Sequence, residues 1–138
     1  MREVSNPMTF PALNHVAITV RDLDVSAPWY RQLIGAEPAL DEHTDTGFRH
    51  LVWAFENGTL FGIHQHDRTI EDGSFTEFRA GLDHVSFGCA DRGELEKWVE
   101  RLDSLGIEHG GIVDAPYGSG LSFRDPDGIA LEFFAPPD

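Results

Sequence analysis

A chain of 138 residues with 41% hydrophobic content is one domain's worth of polypeptide, enough for a core and too short for two independent ones. Ten basic against 24 acidic residues give a formal charge of −14, which repels nucleic-acid phosphates and anionic membrane surfaces and excludes both as partners. The lone cysteine, Cys89, excludes an internal disulfide. It fits a reducing compartment, and with no apolar run near the roughly 18 residues of a membrane span and no leader character in MREVSNPMTF, a cytoplasmic location is expected.

The first predicted element is the strand LNHVAITV (13–20), where Val16, Ile18 and Val20 share one face and Leu13, His15, Ala17 and Thr19 the other. A helix follows in RDLDVSAPWYRQLIG, with Leu23, Trp29, Tyr30, Leu33 and Ile34 at helical spacing and Gly35 as its stop. Weaker strands are expected at 37–41 and 47–55. In LVWAFENGTLFGIHQ (51–65) the dipeptide Asn57-Gly58 signals a two-residue hairpin turn. The polar DRTIEDGSFTEFRAG reads as a linker. Beyond it come the strand LDHVSFGC (82–89) and a helix marked by Leu95, Trp98, Val99 and Leu102 that stops at Gly106. Strands at 107–113 and 120–124 and the closing run LSFRDPDGIALEFFA (121–135), turning at Asp127-Gly128, complete the chain.

This list is a repeat. His84 follows His15 by 69 residues (84 − 15), and Asp127-Gly128 follows Asn57-Gly58 by 70 (127 − 57). Each half reads as strand, helix and three strands. The expected organisation is one α+β domain over 1–138, with module 1 at about 12–68, a linker at about 69–80 and module 2 at about 81–136.

Comparing the repeated strands separates two explanations of His15, a histidine turned to water and a histidine facing a cavity. The bulky faces carry Val85, Phe87 and Cys89, Ile129, Leu131 and Phe133, and Phe61 and Ile63. The opposite faces carry His15, His64, His84 and Glu132 among Ala17, Gly62, Ser86, Gly88 and Ala130. A solvated face favours long polar side chains, whereas small residues around ionisable ones leave room for a ligand.

LNHVAITVRDLDVSAPWYRQLIG, LDHVSFGCAD and FRDPDGIALEFF resemble the vicinal oxygen chelate superfamily, which includes glyoxalase I, bleomycin resistance proteins, fosfomycin resistance enzymes, methylmalonyl-CoA epimerase and extradiol dioxygenases. The resemblance covers about 12–135. It implies two βαβββ modules whose mixed sheet curls into a cup, helices on the outer face and one divalent metal inside. The implied ligand positions are His15, Gly62, His84 and Glu132, of which three can donate. Two imidazoles and a carboxylate with open positions favour Fe(II) or Mn(II), with Zn(II), Ni(II) or Co(II) as alternatives.

The resemblance then divides. Extradiol ring cleavage uses two histidines and a glutamate at these positions, although the family's tyrosine is here Phe123 and its upstream histidine is absent. Glyoxalase or epimerase chemistry calls for a donor where Gly62 stands. A non-catalytic, bleomycin-resistance-type protein that binds cationic drugs suits the acidity but not a metal triad. The expectation is a homodimeric, metal-dependent enzyme acting on a small oxygen-chelating substrate, with ring cleavage ahead of lyase or isomerase chemistry. His64 and Tyr117 are its acid–base candidates, while Trp53, Gly62, Phe123, Phe134 and Arg49 are its pocket candidates. His43, His50, His66 and His109 are expected at the surface.

Overall fold

A computed structural model describes residues 9–138. Residues 1–8, most of the segment read for leader character, lie outside them. The elements in order are β1 (His15–Thr19), α1 (Leu23–Ile34), β2 (Leu40–His43), β3 (Phe48–Ala54), β4 (Leu60–His66), β5 (Val85–Gly88), α2 (Arg92–Ser104), β6 (His109–Ala115), β7 (Gly118–Arg124) and β8 (Ala130–Ala135). They form two four-stranded mixed sheets, ordered β1-β4-β3-β2 and β5-β8-β7-β6. In each, the first strand lies parallel to the last and the other neighbours are antiparallel. The α+β class and the duplicated βαβββ order therefore stand as the sequence predicts.

The chain divides into two compact units, one of the residues up to Val20 with Glu37–Thr69, the other of Arg21–Ala36 with Ile70–Asp138. The first unit is the sheet β1–β4. The second holds the other sheet and both helices, so α1 is grouped with strands that follow it by almost a hundred residues. Its ties there are specific: the Tyr30 hydroxyl donates to Asp125 Oδ2 at 2.8 Å, Trp29 lies 6.4 Å from Phe123, and Arg101 Nη2 donates to the Gln32 carbonyl at 2.9 Å.

Both helices start on an aspartate at equivalent repeat positions (91 − 22 = 69). Asp22 accepts from the Asp24 amide at 2.9 Å and Asp91 from the Glu94 amide at 2.8 Å, each satisfying a donor that the first helical turn leaves free. Gly35 ends α1 in the left-handed conformation, at φ +77. The polar stretch at 69–80 forms no strand. It is held down by Glu77, which pairs through both oxygens with Arg124 at 3.2 Å.

The bulky strand faces form the buried interior. Ile18, Leu51, Trp53, Phe61 and Ile63 are buried in the first unit, and Val85, Leu121, Phe123, Leu131 and Phe133 in the second. Trp98 and Phe123 stack on Phe133, with ring centroids at 4.2 and 5.2 Å.

Two expectations about local structure are corrected. The hairpin loops contain three residues rather than two: Phe55 N donates to Thr59 O and Asp125 N to Ile129 O, with Gly58 and Gly128 at φ +89 and +78 closing the turns. Glycine takes the third loop position because that residue must be left-handed after a type I turn. The second strand is shifted to Leu40–His43 from the expected 37–41, since Pro38 has no amide hydrogen for the ladder.

Asp125 is 5% exposed and organises the β7–β8 turn, accepting from the amides of Asp127 and Ile129 as well as from Tyr30. Burial pushes its carboxyl above the ordinary range, against the lowering effect of those three donors. Tyr30→Phe removes one donor and leaves a buried carboxylate oxygen short of a partner. This variant is expected to lose about 1–3 kcal/mol in urea denaturation; unchanged stability would mean that the bond contributes nothing.

Candidate metal centre

The expected ligands sit where strand parity puts them, on the faces away from the buried interior. In the second unit β8 pairs with β5 and β7 so that Glu132 lies between Ser86 and Ser122. Ser86 donates its hydroxyl to Glu132 Oε1 at 2.9 Å, and His84 Nε2 stands 3.7 Å from that same oxygen. This separation is too long for a hydrogen bond, so the imidazole and the carboxylate are not tied to each other. The side chains remain accessible, His84 at 45% and Glu132 at 22%.

The residue diagonal to Glu132 on β7, Gly120, has no side chain. A β-carbon on Gly120 would lie 3.0 Å from Glu132 Oε2, so glycine there gives the carboxylate its room.

His84 Nδ1 lies 2.7 Å from Asp83 Oδ1. A carboxylate only accepts, so Nδ1 carries the hydrogen and Nε2 of the neutral ring keeps its lone pair. In the first unit His15 repeats the arrangement, its Nδ1 donating to Asn14 Oδ1 at 2.7 Å. Both imidazoles are thus oriented by the residue before them, as metal-ligating histidines are oriented by an outer partner. Asn14 and Asp83 were missed in the sequence, where the signal was the parallel LNH and LDH.

His15, Ala17 and Thr19 share a face with Leu60, Gly62 and His64 on β4, which continues into His50 and Phe48 on β3. His64 leans back over Gly62, whose absent β-carbon would be 3.5 Å from His64 Nε2. Its ring stacks on Phe48 at 4.6 Å and lies 5.1 Å from His50. Burial, and then the neighbouring imidazoles of His50, His66 and His15, hold His64 below the ordinary histidine pKa. His50 was expected at the surface, but its side chain is 15% exposed and its Nε2 donates to Glu42 at 3.1 Å. His109 is likewise 14% exposed and bonded to Asp103.

Strand parity also corrects the pocket candidates. Gly62 and Phe134 are on the open faces. Trp53 and Phe123, at 2% and 4% exposure, lie on the opposite faces, Trp53 in the core and Phe123 in the wall of a cleft on that side. Arg49 shares the parity of Leu51 and Trp53 and is engaged by both oxygens of Asp41 at 3.1 Å. Tyr117 is 68% exposed and stacks against Phe134. Among the described residues no three His, Cys, Asp or Glu side chains converge as a ready-made metal site. That cleft, of about 620 Å³ in the second unit and bounded by Trp29, Ile107, His109, Phe123 and Asp125, includes neither His84 nor Glu132. No helix among the described residues is long and apolar enough to cross a membrane.

The Glyoxalase/Bleomycin resistance protein/Dioxygenase superfamily model matches residues 12–133. Glyoxylase I 4 of Arabidopsis thaliana is 30% identical over 94% of this chain and 74% of its own length. MhqA of Bacillus subtilis (strain 168), whose name assigns it provisionally to the ring-cleaving dioxygenases, is 26% identical over 94% of this chain, which spans 41% of that protein. The crystal structure of a glyoxylase/bleomycin resistance protein/dioxygenase domain from Frankia sp. EAN1pec superposes with a TM-score of 0.81 at 32% identity, covering 94% of this chain and 95% of that one.

The depressed His64 pKa has a stability consequence. Unfolding returns the ring to its ordinary value near 6.5, so as pH falls through that value the unfolded state takes up a proton that the folded state resists. Stability therefore declines toward acid, and His64→Gln is expected to show a smaller fall in Tm than the native protein between about pH 7.5 and about pH 5.5. Equal falls in the two proteins would contradict the assignment.

Proposed function

The chain belongs to the Glyoxalase/Bleomycin resistance protein/Dioxygenase superfamily, and on that premise we propose that it is a divalent-metal-dependent enzyme acting on a small substrate with adjacent oxygens. The observation that carries this reading is the His84–Glu132 pair: an imidazole whose Nδ1 is tied to Asp83, with Nε2 3.7 Å from the carboxylate. His15, oriented the same way by Asn14, is the third ligand. The donor set suits Fe(II) or Mn(II) and tolerates Zn(II), Ni(II) or Co(II).

When bound, such an ion supplies Lewis acidity at the substrate's oxygens. The chain's own residues do the rest. His84, Glu132 and His15 hold and orient, and Asp83 and Asn14 keep the two imidazoles in the ligating tautomer. Ser86 pins one oxygen of Glu132. His64, biased toward its neutral form, is the group suited to accept a proton at Nε2 from a substrate hydroxyl or from carbon next to a carbonyl. The Tyr117 hydroxyl is the second acid–base candidate.

Ring cleavage with dioxygen is the favoured reaction, because the ligand count ends at three and Gly62 offers no fourth donor; MhqA's name supports it. Lyase or isomerase chemistry is the second reading, supported by the likeness to Glyoxylase I 4. The protein is proposed to act as a cytoplasmic homodimer.

The test is metal content per chain in protein purified without tag or chelator. Near one iron or manganese is expected, and Glu132→Ala should lose it. A native protein that holds none and takes up none would overturn the reading in favour of drug binding without catalysis. Asp83→Ala and Asn14→Ala are each expected to weaken metal binding by about 10- to 100-fold in a competition titration. An unchanged affinity in both would remove the argument from imidazole orientation.

A further inference from the structure

The open faces carry a second repeated feature that metal binding does not use. Two residues beyond Gly62 and Glu132, β4 and β8 each present a ring, His64 and Phe134 (134 − 64 = 70). Each is stacked by an aromatic residue, Phe48 at the start of β3 or Tyr117 in the turn just before β7 (117 − 48 = 69). The ring planes are 12° apart in both pairs, with centroids at 4.6 Å for Phe48–His64 and 6.1 Å for Tyr117–Phe134.

In the second unit the backbone is cleared for this pair. Gly118, at φ +143, lies under Phe134 so closely that a β-carbon would fall 2.3 Å from Cζ and 2.5 Å from the Ala135 carbonyl. Gly120 is the next residue on that face. Its absent β-carbon would be 3.0 Å from Glu132 Oε2 and 3.8 Å from Phe134 Cδ2, so the carboxylate and the ring meet over one vacancy. Phe134 thus lies flat on the strand with an edge toward Glu132. Tyr117 covers it only in part and stays 68% exposed, beside Val113 at 66%.

Packing alone explains this poorly. The backbone at Gly118, at φ +143, itself calls for glycine, but at position 120 an ordinary side chain would cover the sheet without the conformational cost of glycine in a strand. A tyrosine left mostly in water gains little from burial.

We propose that Tyr117 and Phe134 form a substrate-positioning wall that takes a flat, conjugated ring whose adjacent oxygens reach toward Glu132. The pair then biases the site toward ring-bearing chelators over open-chain ones. This rests on the reading of His84 and Glu132 as ligands. Tyr117 acts here through its ring plane, and its hydroxyl is dispensable for binding.

The test compares two probes by titration calorimetry: 4-nitrocatechol, a ring with adjacent oxygens, and acetohydroxamate, an open-chain chelator with two oxygens. Tyr117→Leu keeps apolar bulk and loses the plane; it is expected to weaken 4-nitrocatechol by about three- to tenfold, the worth of one aromatic contact, while acetohydroxamate stays within about twofold. Tyr117→Phe should restore 4-nitrocatechol binding to within about twofold of the native protein. Metal content, measured on the same samples, should be equal in all three.

Equal losses for both probes, no loss for either, or the same loss in Tyr117→Phe as in Tyr117→Leu would overturn the proposal. If the native protein holds no metal and acetohydroxamate does not bind, the metalloenzyme reading fails by itself. The wall is then judged on metal-free protein by the same 4-nitrocatechol difference between native and Tyr117→Leu, whose absence overturns it.

Discussion

The open face of the second sheet depends on one constraint, the register of β8 between β5 and β7. Side chains alternate along a strand, so a slip of one residue would carry Glu132 into the interior and bring Leu131 or Phe133 out. The pairing of Glu132 with Ser86 and Ser122 is fixed on its buried side by Leu131, which is buried, and by Phe133, which stacks with Phe123 and Trp98. It is fixed at the turn by Asp125, whose carboxylate gathers two loop amides and the Tyr30 hydroxyl. Core packing thereby sets the position of a carboxylate on the other side of the sheet.

Space on that face is made by omission. Gly120 leaves room for the Glu132 carboxylate and Gly118 for the Phe134 ring. A glycine in a strand weakens the sheet. Two of them lie beside an ionisable and an aromatic group, on a face whose reverse side is filled with Leu121, Phe123, Leu131 and Phe133. The two histidines on which the metal reading rests are each held by a neighbour one residue away, so their orientation is a local property of each strand.

Much of this is legible in the sequence because duplication doubles each signal. Parity along LNHVAITV and LDHVSFGC separates His15 and His84 from the core, and the glycine-bearing turns mark both hairpins. Legibility ends where side chains are chosen by type without tracking parity: Trp53, Phe123 and Arg49 look like pocket residues and face the other way. It ends also where the partner is distant in sequence. A helical pattern shows that α1 buries Tyr30 and Leu33 but not that it bonds to Asp125. His50 looks solvent-facing at a strand end until β2 and β4 flank it with Glu42 and His64. The roles of Asn14 and Asp83 required knowing which ring nitrogen each one reaches.

The central claim is that one divalent ion is held by two imidazoles through Nε2 and one carboxylate. The most direct measurement is X-ray absorption at the metal edge of the manganese- or iron-loaded protein, compared with His84→Ala. Outer-shell scattering from two imidazole rings in the native protein, falling to one in the variant, is the predicted result. Scattering from no imidazole, or a native spectrum unchanged in His84→Ala, would contradict the account.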